Sequence, residues 1–172
     1  VAEGNQLILG PLLGRNVAMK VVLQDRMSED ARLRFVREAT VLARLEHPNI
    51  IPIHEMGKDA EGNLFYTMKM VEGRTLQAIL NAIKKGDSAT VAHYTLDRLL
   101  TIFRKVCDAM AFAHSKGIIH RDLKPENIMV GAFGEVLVMD WGLAKILTDI
   151  AQTAVEAWQQ SEVSEESQAA LE

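Results

Sequence analysis

Only one of the 172 residues is a cysteine. No disulfide can therefore close within the chain, and a cytoplasmic setting is expected. Cys107 stands among Val106, Ala109 and Met110, a context that reads as a buried structural thiol rather than a nucleophile. No apolar run approaches the roughly 18 residues that a membrane-spanning helix needs, and no secretory signal is visible. A longer parent protein could still carry an anchor. Basic residues are absent after Lys145, where six of the 23 acids lie, and the formal net charge is −4. That balance argues against a basic nucleic-acid surface. No internal repeat is visible, so a solenoid is not indicated. The chain has no Met at position 1 and ends in SQAALE without a terminating structure, as expected of a piece of something larger.

What is present alternates in period. RNVAMKVVL (15–23) is apolar and β-favouring, apart from Lys20, and predicts a strand. Ser28 is a candidate N-cap, followed by Glu29 and Asp30, for a helix running to about Leu45. Leu33, Val36, Ala39, Thr40 and Ala43 mark its apolar face, with Phe35 and Leu42 adjoining. Pro48 in HPN (47–49) stops it. IIPIHEMG and NLFYTMKMV read as two strands around a Gly62–Asn63 turn. RTLQAILNAIKKG is a short helix ending at Gly86. A longer helix spans Leu96–Ser115, with Leu99, Ile102, Phe103, Val106, Met110 and Ala113 on its apolar side and Gly117 just beyond its end. NIMV and EVLVMD are short strands around GAFG. A strand-rich half followed by a helix-rich half predicts an α+β fold of two lobes.

The stretch IIHRDLKPENIMV (118–130) places six polar or charged residues between apolar flanks. Such a run suggests a rigid loop that presents charge at a site. Its residues His120, Arg121, Asp122, Leu123 and Asn127 resemble the catalytic loop of protein kinases. VAMK ending at Lys20, Glu38 in the first helix, and Asp140-Trp141-Gly142 accompany it in order. The resemblance covers about residues 4–147, and it is to eukaryotic-like bacterial serine/threonine protein kinases.

That resemblance implies a partial two-lobed kinase fold. A small strand-rich lobe, lacking the family's first strand, would occupy about residues 1–68. A hinge would follow at 69–73 and an incomplete helical lobe at 74–147. The acidic tail 148–172 reads as a truncated insertion in the activation segment. The cofactors implied are ATP and Mg²⁺. The partner implied is a protein with a Ser or Thr acceptor, with no nucleic acid and no membrane segment in this chain. Asp122 would orient the acceptor hydroxyl or take its proton. Lys124 would face the γ-phosphate, although a solvated loop lysine is the plainer alternative. Asn127 and Asp140 would bind Mg²⁺, the alternative for Asp140 being an ordinary turn residue. Lys20, in a strand otherwise apolar, needs a partner. Glu38 would be that partner, and Lys20 would also reach the α- and β-phosphates. Ala18 and Met129 would sandwich adenine, Met68 would be the gatekeeper, and Lys69, Met70 and Val71 would bond adenine through the backbone. Leu42, Ile53, His120 and Trp141 match an apolar stack joining the lobes.

The match has gaps. Only VAEGNQLILGPLLG precedes the strand that carries Lys20. Gly4 stands where the last glycine of a phosphate-covering loop is expected, with NQLIL as a shortened strand. After DWGLAK the family continues with an activation segment, an A-P-E motif and further helices. Without these, the apolar faces of 96–115 and of the 128–139 hairpin are expected to be partly uncovered. The chain by itself is expected to bind Mg·ATP weakly and to phosphorylate little protein. The rival reading is a non-catalytic kinase-fold module that binds nucleotide or acts as a scaffold. The intact set Lys20, Glu38, Asp122, Asn127 and Asp140 argues against it.

Overall fold

The computed structural model describes residues 5–12, 15–23 and 28–147. Gly4 and the acidic tail 148–172, both named above, lie outside the described residues. Strands β1 (Asn5–Leu12), β2 (Arg15–Val22), β3 (Ile53–Lys58) and β4 (Leu64–Lys69) form one antiparallel sheet in the order β1-β2-β4-β3. β1 extends beyond the expected NQLIL to include Pro11, which pairs with Asn16. Its place at the sheet edge tolerates a residue with no N–H. On β2, Val17, Val21 and Val22 are buried.

Helix α1 (Glu29–Ala43) starts where Ser28 Oγ accepts the Ala31 amide, with Glu29 and Asp30 in its first turn. It stops short of Leu45 because the Arg44 and Leu45 amides already bond carbonyls three residues back, a tightened last turn. Its buried face holds Phe35, Val36, Glu38, Ala39, Val41 and Leu42. Ala43, expected inside, is exposed. The face is thus turned toward Glu38, a carboxylate that burial obliges to find partners.

The second half contains β5 (Gly73–Thr75), α2 (Leu76–Lys84), α3 (Ser88–His93), α4 (Leu96–Ser115), β6 (Ile118–Ile119), a 3₁₀ turn at Pro125–Asn127, β7 (Ile128–Gly131), β8 (Val136–Val138) and β9 (Lys145–Ile146). β5, β7 and β8 form one small sheet, and β6 and β9 another. α4 has the expected limits. Thr95 caps its start, and Gly117 just past its end has φ +68°, a left-handed conformation that glycine adopts without cost. Gly73 is required for a different reason: a Cβ there would collide with the Val130 carbonyl across the β5–β7 pair. A side chain at 73 would push the segment joining the two halves off β7.

The apolar face of 96–115 is partly uncovered, as expected, while two other expectations about burial need correction. The side of α4 that packs inward carries Ile102, Val106, Ala109 and Ala113. Phe103 lies on its flank and is 65% exposed, as are Leu96 and Leu100 to similar extents. Cys107, one helical step from Val106, is exposed as well. A step of about 100° per residue carries each of these away from the inward stripe. The hairpin of β7 and β8 is covered, not open: Ile128, Val130, Val136, Leu137 and Val138 are all buried. It packs between α2 and α4.

The halves are joined by the 47–51 segment. The Val138 amide donates to Asn49 O at 2.8 Å, the Ile51 amide donates to Val138 O at 3.2 Å, and Asn49 Nδ2 reaches Val136 O at 2.9 Å. His47 stacks on Phe112 of α4, 5.3 Å between ring centres. One core runs through both halves, from Ala18 and Leu42 to Trp141 and Ile146, with Ile53 packed against it.

Candidate active site

The sheet and α1 build the first part of the site. Lys20 on β2 and Tyr66 on β4 are cross-strand partners, so their side chains share a face. Ala18 and Met68, also opposite each other, lie two residues along on that same face. Glu38 projects from α1 to meet it. Lys20 Nζ donates to Glu38 Oε1 at 2.8 Å and to Oε2 at 2.7 Å. Tyr66 Oη donates to Oε1 at 2.9 Å. Burial first, and then the negative charge of Glu38, push the Tyr66 hydroxyl well above the usual phenol range. It therefore stays a neutral donor. The carboxylate is almost enclosed, but its charge is compensated on two sides.

The loop after β6 builds the second part. Asn127 Nδ2 donates to Asp122 O at 2.9 Å and to Asp122 Oδ2 at 3.1 Å. Lys124 Nζ donates to the same Oδ2 at 2.8 Å. The Lys124 hydrogen bond, its charge and the Asn127 amide hold the Asp122 carboxyl below the usual carboxylate range, while the Asp122 contact raises Lys124. Both groups are charged at neutral pH. His120 is buried and ties this loop to the next segment. Its Nε2 lies 3.0 Å from Met139 O, and the Asp122 amide donates to Nδ1 at 3.2 Å. These two bonds require the neutral ring with the proton on Nε2, and burial pushes the His120 pKa down accordingly. Its ring packs on Trp141 at 4.5 Å. The Met139 amide bonds Asn127 O, and Arg121 Nε donates to Leu143 O at 2.6 Å.

Asp140 brings a carboxylate from the segment after β8 near that of Glu38. A Cβ on Gly142 would lie 3.3 Å from Glu38 Oε2 and 3.4 Å from Asp140 Oδ1, so glycine is what lets these carboxylates close over the backbone. Among the described residues, Arg121 (φ 65°) and Asp140 (φ 56°) are the non-glycine residues with positive φ. Left-handed backbone at such residues costs about 1–3 kcal/mol and clusters at functional sites. Here it falls at the residue before Asp122 and at Asp140 itself.

The donor set fits Mg²⁺ bound together with a phosphate ligand. Among the described residues no three His, Cys, Asp or Glu side chains gather as a metal cage. Asn127 spends its amide nitrogen on Asp122 and keeps its Oδ1 for a cation, and Asp140 is exposed. Two hard oxygens from protein, with the rest from phosphate and water, is the arrangement Mg²⁺ prefers.

The segment following β4 behaves less uniformly than its neighbours. The Lys69 amide donates to Pro52 O at 3.1 Å and is not free for a ligand. Lys69, Met70 and Val71 border a cavity of about 260 Å³ with Asn16, Phe133 and Glu135. None of Lys20, Asp122, Asn127 or Asp140 lines that cavity. Met129, on β7 opposite Leu137, is half-buried. Tyr66 is the site residue that sequence reasoning missed. Its partner Glu38 is 28 residues away, and only the strand register reveals that it faces Lys20.

The family model described as Protein kinase domain matches residues 12–164. The chain is 41% identical over 146 residues to the serine/threonine-protein kinase PknD of Protochlamydia amoebophila strain UWE25, covering 82% of this chain and 15% of the relative. It is 39% identical over 142 residues to PknD of Chlamydia felis, covering 80% of this chain and 15% of the relative. It is 42% identical over 135 residues to PknD of Chlamydia trachomatis serovar L2b, covering 76% and 14%. The chain thus spans about 15% of the length of the curated relatives it matches.

Proposed function

Since the chain belongs to the protein kinase domain family, we propose that it binds Mg·ATP between its two halves and serves transfer of the γ-phosphoryl group to a Ser or Thr hydroxyl of a protein. The observation that carries the reading is the Lys20 ammonium held by both oxygens of Glu38, with the Asp140 carboxylate near that of Glu38 against the Gly142 backbone. In this reading Lys20, held by Glu38, takes the α- and β-phosphates. Asn127 and Asp140 hold Mg²⁺, which supplies neutralisation of phosphate charge when bound. Asp122, ionised and partly exposed, orients the acceptor hydroxyl. As the acceptor oxygen bonds to phosphorus, the bond from phosphorus to the bridging oxygen breaks, ADP leaves, and the hydroxyl proton passes to Asp122. Lys124 lies close enough to Asp122 to meet the γ-phosphate.

Adenine would lie between Ala18 and Met129, behind Met68. The backbones of Met70 and Val71 are its proposed hydrogen-bonding edge, with Lys69 contributing less because its amide is occupied. The division into a strand-rich lobe to about residue 68, a hinge at 69–73 and a helical lobe at 74–147 belongs to the same reading. So does a cytoplasmic setting, because ATP is supplied there. Among the described residues no helix is long and apolar enough to cross a membrane.

The test is a radiolabelled-ATP assay and a calorimetric Mg·ATP titration on the 172-residue chain. Saturable binding lost in Lys20→Ala, and any transfer lost in Asp122→Asn, are expected. Binding that Lys20→Ala leaves intact would remove the nucleotide from this cleft. Binding without any Asp122-dependent transfer, to any protein acceptor, would favour a nucleotide-binding module.

A further inference from the structure

The Tyr66 hydroxyl has no part in the chemistry just described. Yet it is a buried polar group aimed at Glu38, the residue on which the Lys20 contact depends. The ring is fixed on several sides: Phe35 of α1 lies 5.0 Å away between ring centres, Lys20 is its cross-strand neighbour on β2, and Met56 is its neighbour on β3. Lys20 Nζ also sits 5.8 Å over the ring centre. Tyr66 therefore touches both members of the ion pair from the sheet, while Glu38 comes from the helix.

The consequence follows from counting donors. An ammonium offers three N–H bonds, and Lys20 spends two contacts on the two Glu38 oxygens. A phosphate that takes the third N–H shares the ammonium's charge with Glu38. A buried carboxylate that loses part of its compensation tends to turn away or take its helix with it. The Tyr66 hydroxyl is not subject to this sharing. It is neutral, it is buried, and it bonds Oε1 directly.

We propose that Tyr66 is a positioning residue, whose hydroxyl holds the Glu38 carboxylate turned toward Lys20 and so keeps α1 docked on the sheet while Lys20 engages phosphate. The phosphate part rests on the nucleotide reading above; the holding of the pair does not. Tyr66→Phe keeps the ring and its packing and removes only the hydroxyl.

The experiment measures acetylation of Lys20 in the 172-residue chain by an amine-reactive acetyl ester, read by mass spectrometry, with and without Mg·ATP. Thermal melting checks each variant for folding. Tyr66→Phe is expected to stay folded but melt somewhat below wild type, to acetylate Lys20 about tenfold faster, and to bind Mg·ATP about tenfold more weakly, the scale of one hydrogen bond to a charged group. In a Glu38→Gln background the same substitution is expected to add no further acetylation, because the hydroxyl acts through that carboxylate. Unchanged Lys20 acetylation in Tyr66→Phe would overturn the proposal, as would an equal increase in the Glu38→Gln background or a loss seen only in melting temperature. If wild type binds no Mg·ATP but Tyr66→Phe still exposes Lys20, the nucleotide reading fails and the positioning role stands.

Discussion

Two ion pairs of nearly equal length sit at the two ends of the cleft. Lys20–Glu38 is 2.7 Å and its side chains are 20% and 7% exposed; Lys124–Asp122 is 2.8 Å with 46% and 27% exposed. Distance does not distinguish them, but surroundings do. The first pair is mostly enclosed by α1, the sheet and Tyr66, so water replaces a lost partner poorly, and removing one member leaves the other largely uncompensated. The second pair lies on a loop in contact with solvent, where screening keeps its energetic value small. A buried pair is suited to holding two elements in register. An exposed pair can open without cost, which suits groups that must rearrange around a substrate. Under the proposed function, the two pairs would divide the cleft into a part that positions and a part that reacts.

That contrast can be broken most severely on the reactive side. Asp122→Asn should reduce any phosphoryl transfer by about 10²–10⁴-fold, the usual scale of general acid–base catalysis, with no change in melting temperature. Glu38→Ala should do the reverse, lowering stability by about 3 kcal/mol in urea unfolding through the uncompensated Lys20, and weakening Mg·ATP binding with it. Equal effects of the two substitutions on stability would show that exposure does not separate the pairs.

A smaller effect comes from His120, which joins the reactive loop to Met139 as a neutral ring. Burial lowers its pKa, so the unfolded chain takes up a proton first as pH falls below about 6.5. The contribution is full above that value and is lost progressively toward the lower folded value. Melting temperature should drop between pH 7.5 and pH 5.5, and His120→Gln should flatten that part of the profile. The smallest effect concerns salt. Raising ionic strength from about 0.1 to 1 M shortens the screening length from about 10 to 3 Å. That should leave the stability cost of Glu38→Ala nearly unchanged. Lys124→Ala should have no measurable effect on melting at either salt concentration.

Local chemistry made much of this legible in advance. Ser28 caps α1 as expected, because capping depends on a hydroxyl and an amide a few residues apart. The limits of α4, the hairpin around GAFG and the motif residues from Lys20 to Asp140 were readable for the same reason. The strands β5, β6 and β9 were not, since two or three residues carry no period. Burial on α4 was misjudged at Phe103 and Cys107: apolar character along a helix does not say which flank another element covers.

The amino-acid sequence by itself determined the residues capable of chemistry, the order in which they occur, and the helices that carry or precede them, because each of these depends on neighbours within a turn or two of chain. Only the tertiary structure decided that Tyr66 faces Lys20, that Glu38 is shared between them, and that the Asp140 carboxylate lies near that of Glu38. Those facts depend on strand register and on α1 packing across the sheet. Register is chosen by which apolar face the whole sheet can bury, a choice that no short stretch of sequence contains.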